Sequence, residues 1–128
     1  MKSTILAVDD DQPMLWLIAK ILKEFDVICM PDGFEAMMWM SKGNCPDLII
    51  LDREMPNLGG DKFLRALRGS GLYKDIPVMV LSSWVDHKFE KDLEHLNVSK
   101  FIEKPFDPMY LLEQVEHQLY SDSSLTTV

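Results

Sequence analysis

The chain predicts an α/β fold, an open, doubly wound parallel sheet of five strands with five helices. Three observations carry that reading. Short apolar runs rich in β-branched residues alternate strictly with segments whose apolar residues recur at helical spacing. The runs are continuously apolar, as strands covered on both faces are. The chain has 128 residues, 47% hydrophobic and 27% charged, which suits a single domain with one proper core.

Each element follows in order. Thr4–Val8 reads as the first strand and Gln12–Phe25 as the first helix, with Met14, Ile18, Ile21 and Phe25 on one face. Asp11 is placed to cap it and Pro13 to open it. Val27–Met30 is the second strand. The turn Pro31–Asp32–Gly33 leads into a second helix with Phe34, Met37 and Met38 on one face. Met37, Met38, Trp39 and Met40 form a wide apolar arc, expected mostly in the core. Asp47–Leu51 is the third strand, Asp61–Arg68 a short helix ended by Gly69, and Ile76–Leu81 the fourth strand. Asp86–Leu96 is the fourth helix and Ser99–Ile102 a short fifth strand. Asp107 and Pro108 start the last helix, which carries Leu111, Leu112, Val115 and Leu119. Residues 1–120 form the expected domain, and residues 121–128 a polar tail.

The formal charge of −8 disfavours a nucleic-acid backbone as partner, since that needs clustered cations. The opening apolar run is five residues long and ends in three acids, so it is neither a signal peptide nor a membrane span. A cytoplasmic protein is the expectation. Cys29 and Cys45 are expected as small buried hydrophobes in a reducing compartment. His87, His95 and His117 read as solvent-facing helix residues.

The chemistry sits where the strands end. Asp9 and Asp10 follow the first strand, Asp52 the third, Ser82 and Ser83 the fourth, and Lys104 the fifth. In doubly wound sheets ligands bind beyond those carboxyl ends. Three converging carboxylates suit a hard cation, Mg2+ above all, with Mn2+ able to substitute. A lysine and a hydroxyl at the same rim suit a phosphoryl group, for which a carboxylate can be the acceptor.

"ILAVDDD", "LIILDREMP", "VMVLSS" and "FIEKPF" together resemble the signature segments of the receiver domain of two-component response regulators, over about Ile5 to Leu119. The resemblance implies a flavodoxin-like sheet and a stand-alone, chemotaxis-type phosphorylation switch. Asp52 would accept a phosphoryl group from a phosphohistidine on a sensor histidine kinase or a histidine phosphotransfer protein. Asp10 would bind Mg2+ directly, Asp9 through water, and Glu54 through its main-chain carbonyl. Ser82 and Lys104 would hold the phosphoryl group. Phe101 would be the aromatic switch, and Lys104–Pro105 a cis peptide. Phosphorylation would change the surface of the fourth helix, fifth strand and last helix, for a protein partner or a homodimer.

That surface, Asp86 to Tyr120, holds eight acids and four lysines, which favours a protein partner over DNA. Neither nucleic acid nor membrane is an expected partner. Glu54 and Trp84 flank the site and are expected to tune it. The Glu54 carboxylate could repel anionic donors, bind the metal or point to solvent, and the Trp84 indole could obstruct water. Leu15 and Phe106 are candidate contacts for the phosphodonor. Two other functions fit less well. A pseudo-receiver would keep the fold as a phosphorylation-independent interaction module. A haloacid-dehalogenase-type phosphatase also uses a strand-tip Asp, but with a second acid two residues on, usually Asp.

Overall fold

The computed structural model describes residues 2–55 and 58–126, with side chains described through Tyr120. The strands are β1 (Thr4–Val8), β2 (Asp26–Met30), β3 (Leu48–Asp52), β4 (Val78–Ser82) and β5 (Val98–Glu103). The helices are α1 (Gln12–Ile21), α2 (Gly33–Ser41), α3 (Gly60–Gly69), α4 (His87–Leu93) and α5 (Pro108–Thr126). All pairings are parallel and the strand order is β2-β1-β3-β4-β5. The predicted doubly wound sheet is therefore the fold, and β1 and β3 lie side by side where the order reverses.

The continuous apolar strands feed two cores, one on each face. Leu6, Val8, Ile49, Leu51, Val78 and Val80 face α2, α3 and α4. Ile5, Ala7, Leu48, Ile50, Met79 and Leu81 face α1 and α5. β3 and β4 are buried at every residue, so their last residues, Asp52 and Ser82, reach the rim from inside the core. That burial sets the Asp52 carboxylate and the Ser82 hydroxyl in low-dielectric surroundings at an otherwise exposed rim.

Several boundaries move from their sequence expectation. α1 stops at Ile21, and Phe25 packs beyond it as a buried residue of the turn. Its buried stripe is Leu15 and Ile18, with Met14 and Ile21 only half covered. α2 buries Gly33, Ala36 and Met40, while Phe34 and Met38 face outward. The reason is close approach: a Cβ on Gly33 would lie 3.0 Å from the Leu58 side chain, so α2 packs through its small residues. Helix four is divided, Glu94–Leu96 tightening into a 3₁₀ turn that ends on Asn97 at φ 54°. α5 runs on to Thr126, past the expected start of the polar tail at residue 121.

Cys29 and Cys45 are exposed, not buried. Cys29 lies on β2, an edge strand of the sheet. The three histidines face solvent. Among the described residues, no helix is long and apolar enough to cross a membrane.

Candidate functional site

Four strand ends build the site. Asp9 follows β1 and is 1% exposed; Asp52 ends β3 at 2%. Asp10 is exposed beside them, and carboxylate oxygens of Asp9, Asp10 and Asp52 all lie within 4.8 Å of one another. Asp9 Oδ1 accepts the Asp11 amide at 2.9 Å, which fixes the turn into α1. Asp11 itself stands at the N-cap position but makes no side-chain cap. The remaining Asp9 oxygen, Oδ2, is buried and has no hydrogen-bond partner among the described residues.

Lys104 enters from the end of β5. Its amide donates to the Ser82 carbonyl at 2.7 Å, tying the two strand ends together. Its Nζ lies 2.8 Å from Asp52 Oδ1 and 3.9 Å from Asp9 Oδ2. Burial alone would push the ammonium pKa down, but the Asp52 bond and the charges of Asp52, Asp9 and Glu54 hold it above its ordinary value. Burial pushes Asp9 the other way, from 3.8 to about 7. The Asp11 amide bond opposes that rise, the Asp52 charge adds to it, and Lys104 opposes it again. The Lys104–Pro105 peptide is cis, as the resemblance implies.

An orphaned buried oxygen within a cluster of three carboxylates fits a hard divalent cation. Asp9, Asp10 and Asp52 are the side chains that would hold one.

Ser82 is fully buried, and its hydroxyl is engaged. It accepts the Trp84 amide at 3.1 Å and lies 2.8 Å from Glu54 Oε2 and 2.9 Å from the Trp84 carbonyl. Glu54 Oε1 accepts both the amide and the hydroxyl of Ser83, at 2.9 and 2.8 Å. Burial would raise the Glu54 pKa, but the two Ser83 bonds and the Ser82 bond hold it below the usual range. The Glu54 side chain thus neither points freely to solvent nor joins the carboxylate cluster. It bridges to the β4–α4 turn, an arrangement the sequence expectations did not contain.

The other candidates divide. Trp84 is 68% exposed, and its part in the site is its main chain, whose carbonyl also accepts Arg53 Nη1 at 3.3 Å. Phe101 is half-buried and meets Phe89 of α4 edge-on at 5.3 Å between ring centres. It lines a cavity of about 410 Å3 with His87, Glu90, Lys91, Glu94 and Val98. Phe106 is half-buried against the α1–α5 core. Leu15 is 3% exposed within that core, so its side chain is not a docking contact. Its place on the buried stripe follows from α1 beginning at Gln12.

Two contributors escaped the sequence reading. A Cβ on Gly60 would lie 2.7 Å from the Asp52 carbonyl and 2.8 Å from Arg53 Cα, so α3 starts directly against the backbone of the candidate acceptor. The Gly59–Gly60 pair at a helix start was the available signal. Arg53 lies with its guanidinium 3.7 Å from the Phe89 ring centre, and no sequence pattern announces that stack.

A model of the response regulator receiver domain matches residues 5–116. The chain belongs to that family. Receiver domains are signalling domains of two-component systems. A chemotaxis protein, CheY4 of Vibrio cholerae, superposes with a TM-score of 0.85 at 26% identity, over 93% of this chain and 100% of that one. Hybrid signal transduction histidine kinase D of Dictyostelium discoideum is 31% identical over 89% of this receiver. The alkaline phosphatase synthesis transcriptional regulatory protein PhoP of Bacillus subtilis is 34% identical over 84% of it. The receiver spans only 7% of the first of these relatives and 45% of the second. Related receivers thus occur within both kinases and regulators.

Proposed function

We propose that Asp52 is the phosphoacceptor of a two-component phosphorelay. The observation that carries this is the buried Asp52–Lys104 pair at 2.8 Å, set in a carboxylate cluster with an orphaned oxygen. The donor is a phosphohistidine on a sensor histidine kinase or phosphotransfer protein. An Asp52 oxygen forms a bond to phosphorus as the donor's P–N bond breaks, and the imidazole leaves with the electron pair. Lys104 stays beside the new phosphoryl oxygens, and Ser82 offers its hydroxyl to them. Asp9, Asp10, Asp52 and the main-chain carbonyl of Glu54 are the groups to hold Mg2+, or Mn2+ in its place. When bound, that ion offsets negative charge on the transferring group.

The new group adds roughly −1.5 to −2 charge units at the end of β3. Ser82 drawn toward it leaves room for Phe101, whose ring packs on Phe89, so α4, β5 and α5 form the responding surface. That surface is net acidic, and a protein partner or a second copy is its expected reader. The phosphatase reading requires the second acid to act at the nucleophile, and the Glu54 carboxylate is instead bonded to two serines.

Intact mass after incubation with acetyl phosphate and Mg2+ tests the proposal. One added phosphoryl group is expected, absent with Asp52→Asn and without metal. An adduct that persists in Asp52→Asn would place the acceptor elsewhere. No adduct from acetyl phosphate or from a phosphohistidine donor would leave the pseudo-receiver.

A further inference from the structure

Glu54 sits two residues after Asp52 and is itself exposed, yet three donors converge on its carboxylate. They are the Ser82 hydroxyl, the Ser83 amide and the Ser83 hydroxyl, all within 2.9 Å. The Glu54 amide in turn donates to Asp52 Oδ1 at 3.3 Å, so the acid and the acceptor share one short loop. A hydroxyl has a single proton. When Ser82 gives it to Glu54 or to the Trp84 carbonyl, none is left for another acceptor. An oxyanion held by a serine hydroxyl and a neighbouring amide is what a phosphoryl oxygen at this rim would also need.

We propose that Glu54 is a resident competitor for the phosphoryl group. Its carboxylate occupies Ser82 and Ser83 in the resting protein and has to release the Ser82 hydroxyl and the Ser83 amide before these two hold a phosphoryl group on Asp52. Glu54 and Ser83 are then positioning residues that set how readily the site accepts an anion. The inference rests on Asp52 being the acceptor. It differs from simple charge repulsion because it depends on the hydrogen bonds to the serines as well as on the charge.

Two variants separate these cases. Glu54→Gln removes the charge and weakens the bonds; Ser83→Ala keeps the charge and removes one bond. Each is compared with the natural chain in three measurements. These are the rate of phosphorylation by acetyl phosphate with Mg2+, the affinity for beryllofluoride with Mg2+, and hydrogen exchange of the Ser83 amide in the free protein. For Glu54→Gln a rise of roughly tenfold or more in rate and affinity is expected, the factor carried by one charge-assisted hydrogen bond. The Ser83 amide should exchange faster. Ser83→Ala should give a smaller rise in the same direction. If both variants stay within about twofold of the natural chain, on the same scale, the latch is wrong while Asp52 remains the acceptor. If Glu54→Gln accelerates and Ser83→Ala does not, charge alone acts and the proposal is again overturned. If the natural chain and both variants all take no phosphoryl group and bind no beryllofluoride, the acceptor reading falls, and the latch with it.

Discussion

Asp9 shows how much one side chain at the rim decides. Its carboxyl is 1% exposed, and its pKa is pushed up to about 7, chiefly by burial and then by the Asp52 charge, against the Asp11 amide and Lys104. In the unfolded chain the same group titrates near 3.8. Between those values the folded protein binds more protons than the unfolded one, so the stability from this group falls as pH rises. Metal-free protein should therefore melt at a lower temperature at pH 8 than at pH 5, insofar as Asp9 sets the slope. Asp9→Asn should flatten the difference, and millimolar Mg2+ should narrow it by favouring the carboxylate. Thermal melts at the two pH values, with and without metal, check this; an unchanged slope in Asp9→Asn would assign it to other groups. Asp9, Asp10, Asp52, Ser82 and Lys104 were legible because each follows an apolar run that had to be a strand. The Glu54 bridge was not, because it depends on the path of the β4–α4 turn, which no periodicity specifies.

At the scale of elements, Arg68 ties the end of α3 to the turns around it. Its Nε donates to the Leu96 carbonyl at 2.7 Å, and Nη1 to those of Lys74 and Ile76 at 2.9 and 2.7 Å. Nη2 donates to the Asn97 carbonyl at 3.2 Å. One planar fork thus joins α3, the approach to β4 and the left-handed turn before β5. Arg68→Ala should cost about 2 kcal/mol, within the range for hydrogen bonds to a charged group. Arg68→Lys should recover little, since an ammonium cannot reproduce the fork. Urea denaturation of both variants measures the difference, and a full rescue by lysine would reduce the role of Arg68 to its charge. Sequence marked Arg68 only as the last residue of a helix. Strand identity was legible because continuous apolar runs between turn residues leave few alternatives. The inward face of α2 was not, since its large Met and Phe residues compete with Gly33 and Ala36, and close backbone approach won.

At the scale of the molecule, the two ends of the sheet, β4–β5 and β1–β2, are set to respond differently to an event at its rim. Asp52 and Ser82 end β3 and β4, and the aromatic side chains beside them run toward β5. Arg53 stacks on Phe89, and Phe89 meets Phe101 at 5.3 Å. A charge placed on Asp52 thus adjoins a short path into α4 and β5, and Lys104 continues the chain into α5. The opposite path, toward β2 and α2, has no such stack among the described residues. Beryllofluoride with Mg2+ should therefore alter hydrogen exchange in α4, β5 and the first turn of α5, and leave β2, α1 and α2 nearly as they were. Asp52→Asn should abolish the change. Phe101→Ala should still bind beryllofluoride yet lose most of the change in α4, because the ring that meets Phe89 is gone. A uniform gain of protection in every helix would argue against this route. Ligand binding stabilises any folded protein as a whole, and that alone would account for it.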